Sequence, residues 1–251
     1  MIVSLPMYDR PETAAANDAL WQGIHAALGE GPDTLTRDGE FWDHWLSPDL
    51  LLSQTCGYPY RARLHGRVTL VGSPVLDLPD CPPGLYYSVF VVRADDPRER
   101  PEDFATARLA YNDALSQSGW AAPQNWAAAR GFAFGNPVHT GAHRASAMAV
   151  AEERADIAAL DALSWQLMQA YDPFPKHLRV LGRTDPTPAL PYITALGRDA
   201  EQLHAALRDA INALPASLRT TLGLTGVTHI PAEDYLALPN PASPPAPQPP
   251  N

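Results

Sequence analysis

Short apolar runs alternate with amphipathic stretches along nearly the whole chain, and few architectures accommodate that alternation. Residues 2–5 read as a strand. Asp9 to Glu12 has the D-x-x-E form of a capping pair and Pro11 suits a first turn, so a helix is predicted to begin there. Leu20, Trp21, Ile24 and Leu28 mark its apolar face, and Gly29 ends it. A short aromatic helix with Phe41, Trp42 and Trp45, a Ser-Pro break and a buried strand at 50–53 follow. Further apolar runs lie at 68–71 and 86–92, and the charged stretch 95–103 reads as a surface crossover.

A second series begins beyond it: strand 108–111, helix 120–130, a short strand at 132–134, helix 142–154, strand 156–160, helix 162–170 and strand 178–181. The segment 191–196 is expected to return to the first series, covered by a helix at 199–214 through Leu203, Ala206, Leu207 and Ile211. The reading is an α/β chain of two lobes, each a mostly parallel sheet flanked by helices, with ligands at the carboxyl ends of the strands. Residues 1–92 and 189–238 form the first lobe in this reading and 93–188 the second, joined by two crossings.

Composition narrows function. A length of 251 residues with 45% hydrophobic content is enough to fill real cores. The net charge of -10 and the absence of any Lys/Arg run exclude a nucleic-acid or anionic-membrane surface. A small anion stays admissible, because it feels the peptide N–H groups of its own pocket more than the distant surface. Lys176 is the only lysine, and G-x-G-x-x-G, H-E-x-x-H, C-x-x-C and G-x-S-x-G patterns are all missing, so neither a cofactor nor a common catalytic class is expected. His139 and His143 form an isolated pair at helical spacing, too few for a metal.

No apolar run approaches the roughly 20 residues that span a bilayer, so no membrane insertion is expected. The chain opens on a strand without a leader-like pattern, which reads as cytoplasmic as written and periplasmic if a leader is missing or removed. Cys56 and Cys81 read as two thiols of a reducing compartment, a bridge being the alternative that would hint at export. Residues 239–251 hold seven of the 27 prolines and are predicted to be a disordered tail: inert, a linker, or a ligand for a proline-reading domain.

Chemistry concentrates in the second series. The strand at 108–111 delivers the chain into Ser116-Gln117-Ser118-Gly119 ahead of a helix, so hydroxyls and unpaired N–H groups converge on one spot suited to an anion. Plain capping is the competing reading. Thr140 can cap the next helix, with His143 in its first turn, where the dipole favours a neutral imidazole that donates to an oxyanion. Asp161 follows a strand and either caps the helix beginning at Ala162 or accepts a proton or amine hydrogen from the ligand. Tyr8 and Tyr58 offer hydroxyls at strand ends of the first series, with packing as the alternative.

The runs Ser4-Leu-Pro-Met-Tyr8-Asp, Ser53-Gln-Thr-Cys-Gly-Tyr-Pro-Tyr60, Ser116-Gln-Ser-Gly119, Gly141-Ala-His143 and Ala155-Asp-Ile-Ala-Ala-Leu-Asp161 occur in an order that resembles the PhnD-like phosphate, phosphite and phosphonate binding proteins. The resemblance spans roughly residues 1–196. It implies a type II periplasmic-binding-protein fold and a monomer that clamps a small oxyanion between lobes, handing it to an ABC permease. It implies Ser116, Gln117, Ser118 and His143 as the oxyanion cradle, Asp161 as an acidic pocket residue, and Tyr8 and Tyr58 as first-lobe residues closing over the ligand. Gln117 departs from the smaller hydroxyl residue expected there. A cytosolic enzyme, with His143 as acid or base beside Asp161, or a ligand sensor are the alternatives on the same fold.

Overall fold

A computed structural model describes residues 1–245. Twelve strands occur in it: β1 (Ile2–Ser4), β2 (Leu50–Gln54), β3 (Val68–Leu76), β4 (Leu85–Tyr86), β5 (Ser88–Arg93), β6 (Arg108–Tyr111), β7 (Asn136–His139), β8 (Ile157–Asp161), β9 (Leu178–Arg183), β10 (Thr187–Pro188), β11 (Tyr192–Ala195) and β12 (Leu224–Thr228). They build two compact units. Unit 1 comprises Met1–Leu85 and Thr187–Leu238; unit 2 comprises Tyr86–Pro186 and the segment from Pro239. The run at 86–92, expected in the first lobe, thus belongs with the second.

Unit 1 carries the sheet β1-β2-β11-β3-β12, in which β1 runs parallel to β2, β11 antiparallel to both β2 and β3, and β12 antiparallel to β3. Unit 2 carries β7-β6-β8-β5-β9, where β6 is parallel to β7 and β8, and β5 is antiparallel to β8 and β9. The ladders are therefore mixed instead of mostly parallel. The reason is topological: β5 and β11 follow the crossings at Leu85 and Pro186, so no right-handed crossover helix fixes their direction. β4 and β10 form a separate two-stranded ladder.

In unit 1 the helix Ala14–Leu28 buries Leu20, Trp21 and Ile24 and stops at Gly29, whose φ of 70° needs no Cβ penalty. Gly23 lies against the helix Ala200–Ala213 so closely that an added Cβ would meet the Ala210 Cβ at 3.1 Å. The expected Asp9–Glu12 capping pair is not formed. Asp9 accepts instead from Asn17 Nδ2 at 3.0 Å and Arg37 Nε at 2.6 Å. Thr13 takes the cap position without a side-chain cap bond and donates its hydroxyl to the Tyr8 carbonyl at 2.7 Å. Trp45, Leu50, Tyr60, Leu64, Val68, Ile193 and Tyr235 fill the core below.

In unit 2 the expected strand at 132–134 is not formed; Phe134 is buried, and the strand is β7, which begins two residues later. β7 occupies an edge, where the missing N–H of Pro137 is tolerated. Helices His143–Ala151 and Ala162–Tyr171 cover the sheet, with Ala147, Val150, Leu163 and Met168 buried. Residues 239–245 do not stand alone as the expected structureless tail: Asn125 Nδ2 donates to the Pro239 carbonyl and Trp120 Nε1 to the Ala242 carbonyl, each at 3.0 Å. The rest of that expectation, 246–251, lies outside the described residues. Among the described residues no helix is long and apolar enough to cross a membrane. Cys56 and Cys81 are half-buried thiols.

Candidate oxyanion site

β6 ends at Tyr111, and five residues later Ser116 leaves extended backbone, with φ -71° and ψ 127°, to cap the helical segment Gln117–Ala121, which runs on into the helix Ala122–Ala128. Ser116 Oγ accepts from the Gly119 N–H at 3.0 Å, so one hydroxyl of the turn is used as a cap. Ser118 points elsewhere and shares a hydrogen bond of 2.8 Å with His143 Nε2. Its carbonyl accepts from Ser88 Oγ at 2.9 Å, fastening the turn to β5. Ser116, Gln117 and Ser118 are all buried. The Trp120 and Ala121 N–H groups donate to the Ser116 carbonyl as Gly119 does to its hydroxyl, so the N–H nearest the Ser118 hydroxyl at the head of this segment is that of Ser118 itself.

His143 opens its helix, whose cap position falls to Ala142, without a side-chain cap bond, and not to Thr140 as expected. Thr140 instead donates to the Tyr111 carbonyl at 2.9 Å and bonds Ser146 Oγ at 2.6 Å, pinning the helix head to the end of β6. His143 is half-buried as a residue, but its Nδ1 is enclosed and lacks a hydrogen-bond partner among the described residues. Burial pushes the imidazole down to about 4, which keeps it neutral near pH 7, with one N–H to give and one lone pair to receive.

Asp161 is the last residue of β8 and the cap of the helix Ala162–Tyr171, accepting from the Ser164 N–H at 2.8 Å. It stands opposite Ser88 across the β5–β8 ladder, and Ser88 is the residue that holds Ser118. Ser116, Gln117, Ser118, His143 and Asp161 are therefore assembled on the carboxyl ends of β6 and β8 in unit 2. Tyr8 and Tyr58 lie in unit 1. Tyr8 is half-buried just past β1, whereas Tyr58 is buried under the Arg61 guanidinium, 4.4 Å from its ring centre.

Sequence reasoning passed over Asn112. Its Oδ1 is buried without a hydrogen-bond partner among the described residues, and it fills the space beside Gly119: an added Cβ there would lie 1.9 Å from Asn112 Oδ1 and 3.3 Å from His143 Cε1. The rule that ligands gather at carboxyl ends of strands would have found it, one residue past β6. Ser88 was passed over too, because a residue at the start of an antiparallel strand carries no such signal.

Among the described residues no three His, Cys, Asp or Glu side chains gather as a metal site. The donors are hydroxyls, amides and a neutral imidazole, a set suited to an oxyanion.

A sequence profile for the periplasmic substrate-binding protein of phosphonate ABC transporters matches residues 71–235. Ser116, Gln117, Ser118, His143 and Asp161 fall inside that span; Tyr8 and Tyr58 fall outside it. No protein among those with curated functions matches the chain. Among solved structures, the chain is similar to PhnD1 from Prochlorococcus marinus in complex with methylphosphonate, at 15% identity and TM-score 0.72, over 94% of each chain. It is also similar to a binding protein component of an ABC phosphonate transporter from Pseudomonas aeruginosa, at 16% identity and TM-score 0.69, over 94% of this chain and 82% of that one. A histidine kinase sensor domain with similarity to periplasmic binding proteins matches at 17% identity and TM-score 0.59, over 92% and 98%. These likenesses establish the two-lobed type II binding-protein fold.

Proposed function

Because the chain belongs to the family of periplasmic substrate-binding proteins of phosphonate ABC transporters, we propose that it binds a small phosphorus oxyanion at the Ser116–Gly119 turn and releases it unchanged to a permease. The observation that carries this reading is the 2.8 Å bond between Ser118 Oγ and a neutral His143 at the head of a helical segment. An anion placed there meets the Ser118 N–H at the head of the segment, a hydroxyl and an imidazole, none of which needs a counter-ion. Gln117 adds an amide to the turn, and Asp161, one strand away, selects for a ligand that still bears a proton or an amine. In unit 1, Tyr8 is the half-buried tyrosine just past a strand end. Tyr58, enclosed under Arg61, serves packing. The periplasm, where the family operates, is the compartment in which the chain would work as a monomer.

The test is thermal unfolding against phosphate, phosphite, methylphosphonate, aminoethylphosphonate, sulfate and small carboxylates. Ligand at 100 times Kd adds about 2.7 kcal/mol to native stability, a shift of about 5–10 °C for a chain this size. A shift confined to phosphorus oxyanions is expected. No shift with any of them would remove the proposal, and loss of ligand with appearance of product would replace binding by catalysis.

A further inference from the structure

The proline-rich C-terminus is absorbed neither by the fold of unit 1, which ends at Leu238, nor by the oxyanion site. Yet it is seated. Pro241 and Pro244 are half-buried while residues 239, 240, 242, 243 and 245 are exposed, so the two covered positions lie three residues apart. That is the period of a polyproline II helix, three residues per turn. The carbonyls that accept hydrogen bonds, Pro239 and Ala242, are also three apart. Their donors, Asn125 and Trp120, are five apart on one continuous helical segment, a rise of about 7.5 Å, against about 9 Å for one polyproline II turn. The two repeats therefore match closely enough for both bonds to form at once.

The cleft beneath is lined by Trp120, Gln124, Asn125, Phe134 and Pro137. An indole N–H, an amide and an aromatic wall are the chemistry with which proline-reading domains grip a P-x-x-P segment: the rings supply flat apolar surface and the donors capture carbonyls that a proline-rich backbone leaves unpaired. Here the segment Pro241-Ala-Ser-Pro244 belongs to the same chain. Trp120 follows Gly119 directly, and Asn125 lies further along the same continuous segment that carries the oxyanion turn.

We propose that residues 239–245 form an intramolecular strap, a proline-rich ligand docked in unit 2's own groove, which holds the Gln117–Ala128 segment and thereby positions Ser118. The affinity consequence rests on the oxyanion reading of the turn; the docking itself does not. The test compares the full chain with one ending at Leu238, by hydrogen exchange of the amides of residues 117–128 without any ligand. Loss of two hydrogen bonds, each about a factor of five, is expected to speed that exchange by about 25-fold. A synthetic peptide of residues 239–251 added in trans restores protection. Unchanged exchange in the shortened protein overturns the strap. Should the shortened protein not fold, Asn125→Asp in the full chain removes one donor at nearly constant volume, with about fivefold faster exchange expected and no change refuting the proposal. Methylphosphonate binding is then measured by calorimetry on the same proteins. Weaker binding by the shortened chain supports the positioning role, and equal binding overturns it. Failure of the full chain to bind any oxyanion sinks the reading of the turn, while the exchange result still decides the strap.

Discussion

Gly119→Ala tests the architecture of the cradle most directly. Gly119 does not occupy the left-handed region, so alanine meets no backbone penalty and the cost is one of space. A Cβ at this position lies 1.9 Å from Asn112 Oδ1 and 3.0 Å from Asn112 Cγ. The amide must therefore retreat by more than about 1 Å from a buried position, an overpacking cost of about 1–3 kcal/mol. At about 2–4 °C per kcal/mol this is a fall in Tm of roughly 2–12 °C. Asn112→Ala alone removes an unpartnered buried acceptor and is expected to be nearly neutral. In the double variant the methyl enters the space the amide has left, so about 1–2 kcal/mol of the Gly119→Ala cost should return. Urea unfolding of the four proteins gives the coupling energy. Additivity within about 0.5 kcal/mol would show that Asn112 is not the obstacle and would refute the argument.

Ser118→Ala deletes the hydroxyl that meets His143 Nε2 and is expected to weaken oxyanion binding by about 10- to 100-fold, the range for a hydrogen bond to a charged group, and to lower the ligand-free Tm by roughly 2–12 °C because it leaves a second imidazole nitrogen unpaired; calorimetry giving equal affinity would remove Ser118 from the site. Asp161→Asn keeps an acceptor for the Ser164 N–H, so stability should hold while discrimination against sulfate falls; Asp161→Ala should in addition cost about 1 kcal/mol through the lost cap. Unchanged anion preference in Asp161→Asn would leave Asp161 as a cap alone. His143 is held at about 4, below the ordinary histidine value, so the unfolded chain binds the extra proton between those values. Its stabilising contribution is present above about pH 6.5 and is lost as pH falls through about 4, at most about 3 kcal/mol. Denaturant titrations at pH 7 and pH 4.5 should show this loss in the wild type and not in His143→Gln, and equal slopes in both would refute it.

Local signals were readable where the chain settles its own hydrogen bonds. Gly29 ends a helix because its φ of 70° suits glycine, and Asp161 caps one because a short carboxylate reaches the N–H three residues on. The Ser116–Gly119 turn was legible as either a cap or an anion cradle, but not that Ser116 would take the cap while Ser118 turns to His143. What failed to show was what depends on distant partners. Aromatic β-propensity favoured a strand at 132–134, yet Phe134 has its N–H and carbonyl taken by the Gln124 side chain, and the ladder forms on Pro137-bearing β7. The Asp9–Glu12 pair was outcompeted by Arg37, 28 residues away. Asn112 lay within reach of the carboxyl-end rule, but its fit into the space beside Gly119 is a packing relation that no spacing rule encodes. The tail was read from proline content alone, although Trp120 and Asn125 supply donors for its carbonyls.

The place of β11 between β2 and β3 has a consequence for synthesis on the ribosome. Residues 2–76 emerge first, but β2 and β3 have no partner for their facing edges until Tyr192–Ala195 has been made. Unit 2 draws all five strands of its sheet from one uninterrupted stretch, 88–183, and can close while unit 1 is still waiting. The N-terminal half of the nascent chain thus carries two apolar edges, Leu50–Leu52 and Val68–Val71, exposed for the time needed to translate more than a hundred further residues, about 5–20 s at bacterial or eukaryotic elongation rates. Chaperone dependence and mispairing should therefore concentrate on unit 1, and a circular permutant that begins at Thr187 would bring its strands out together.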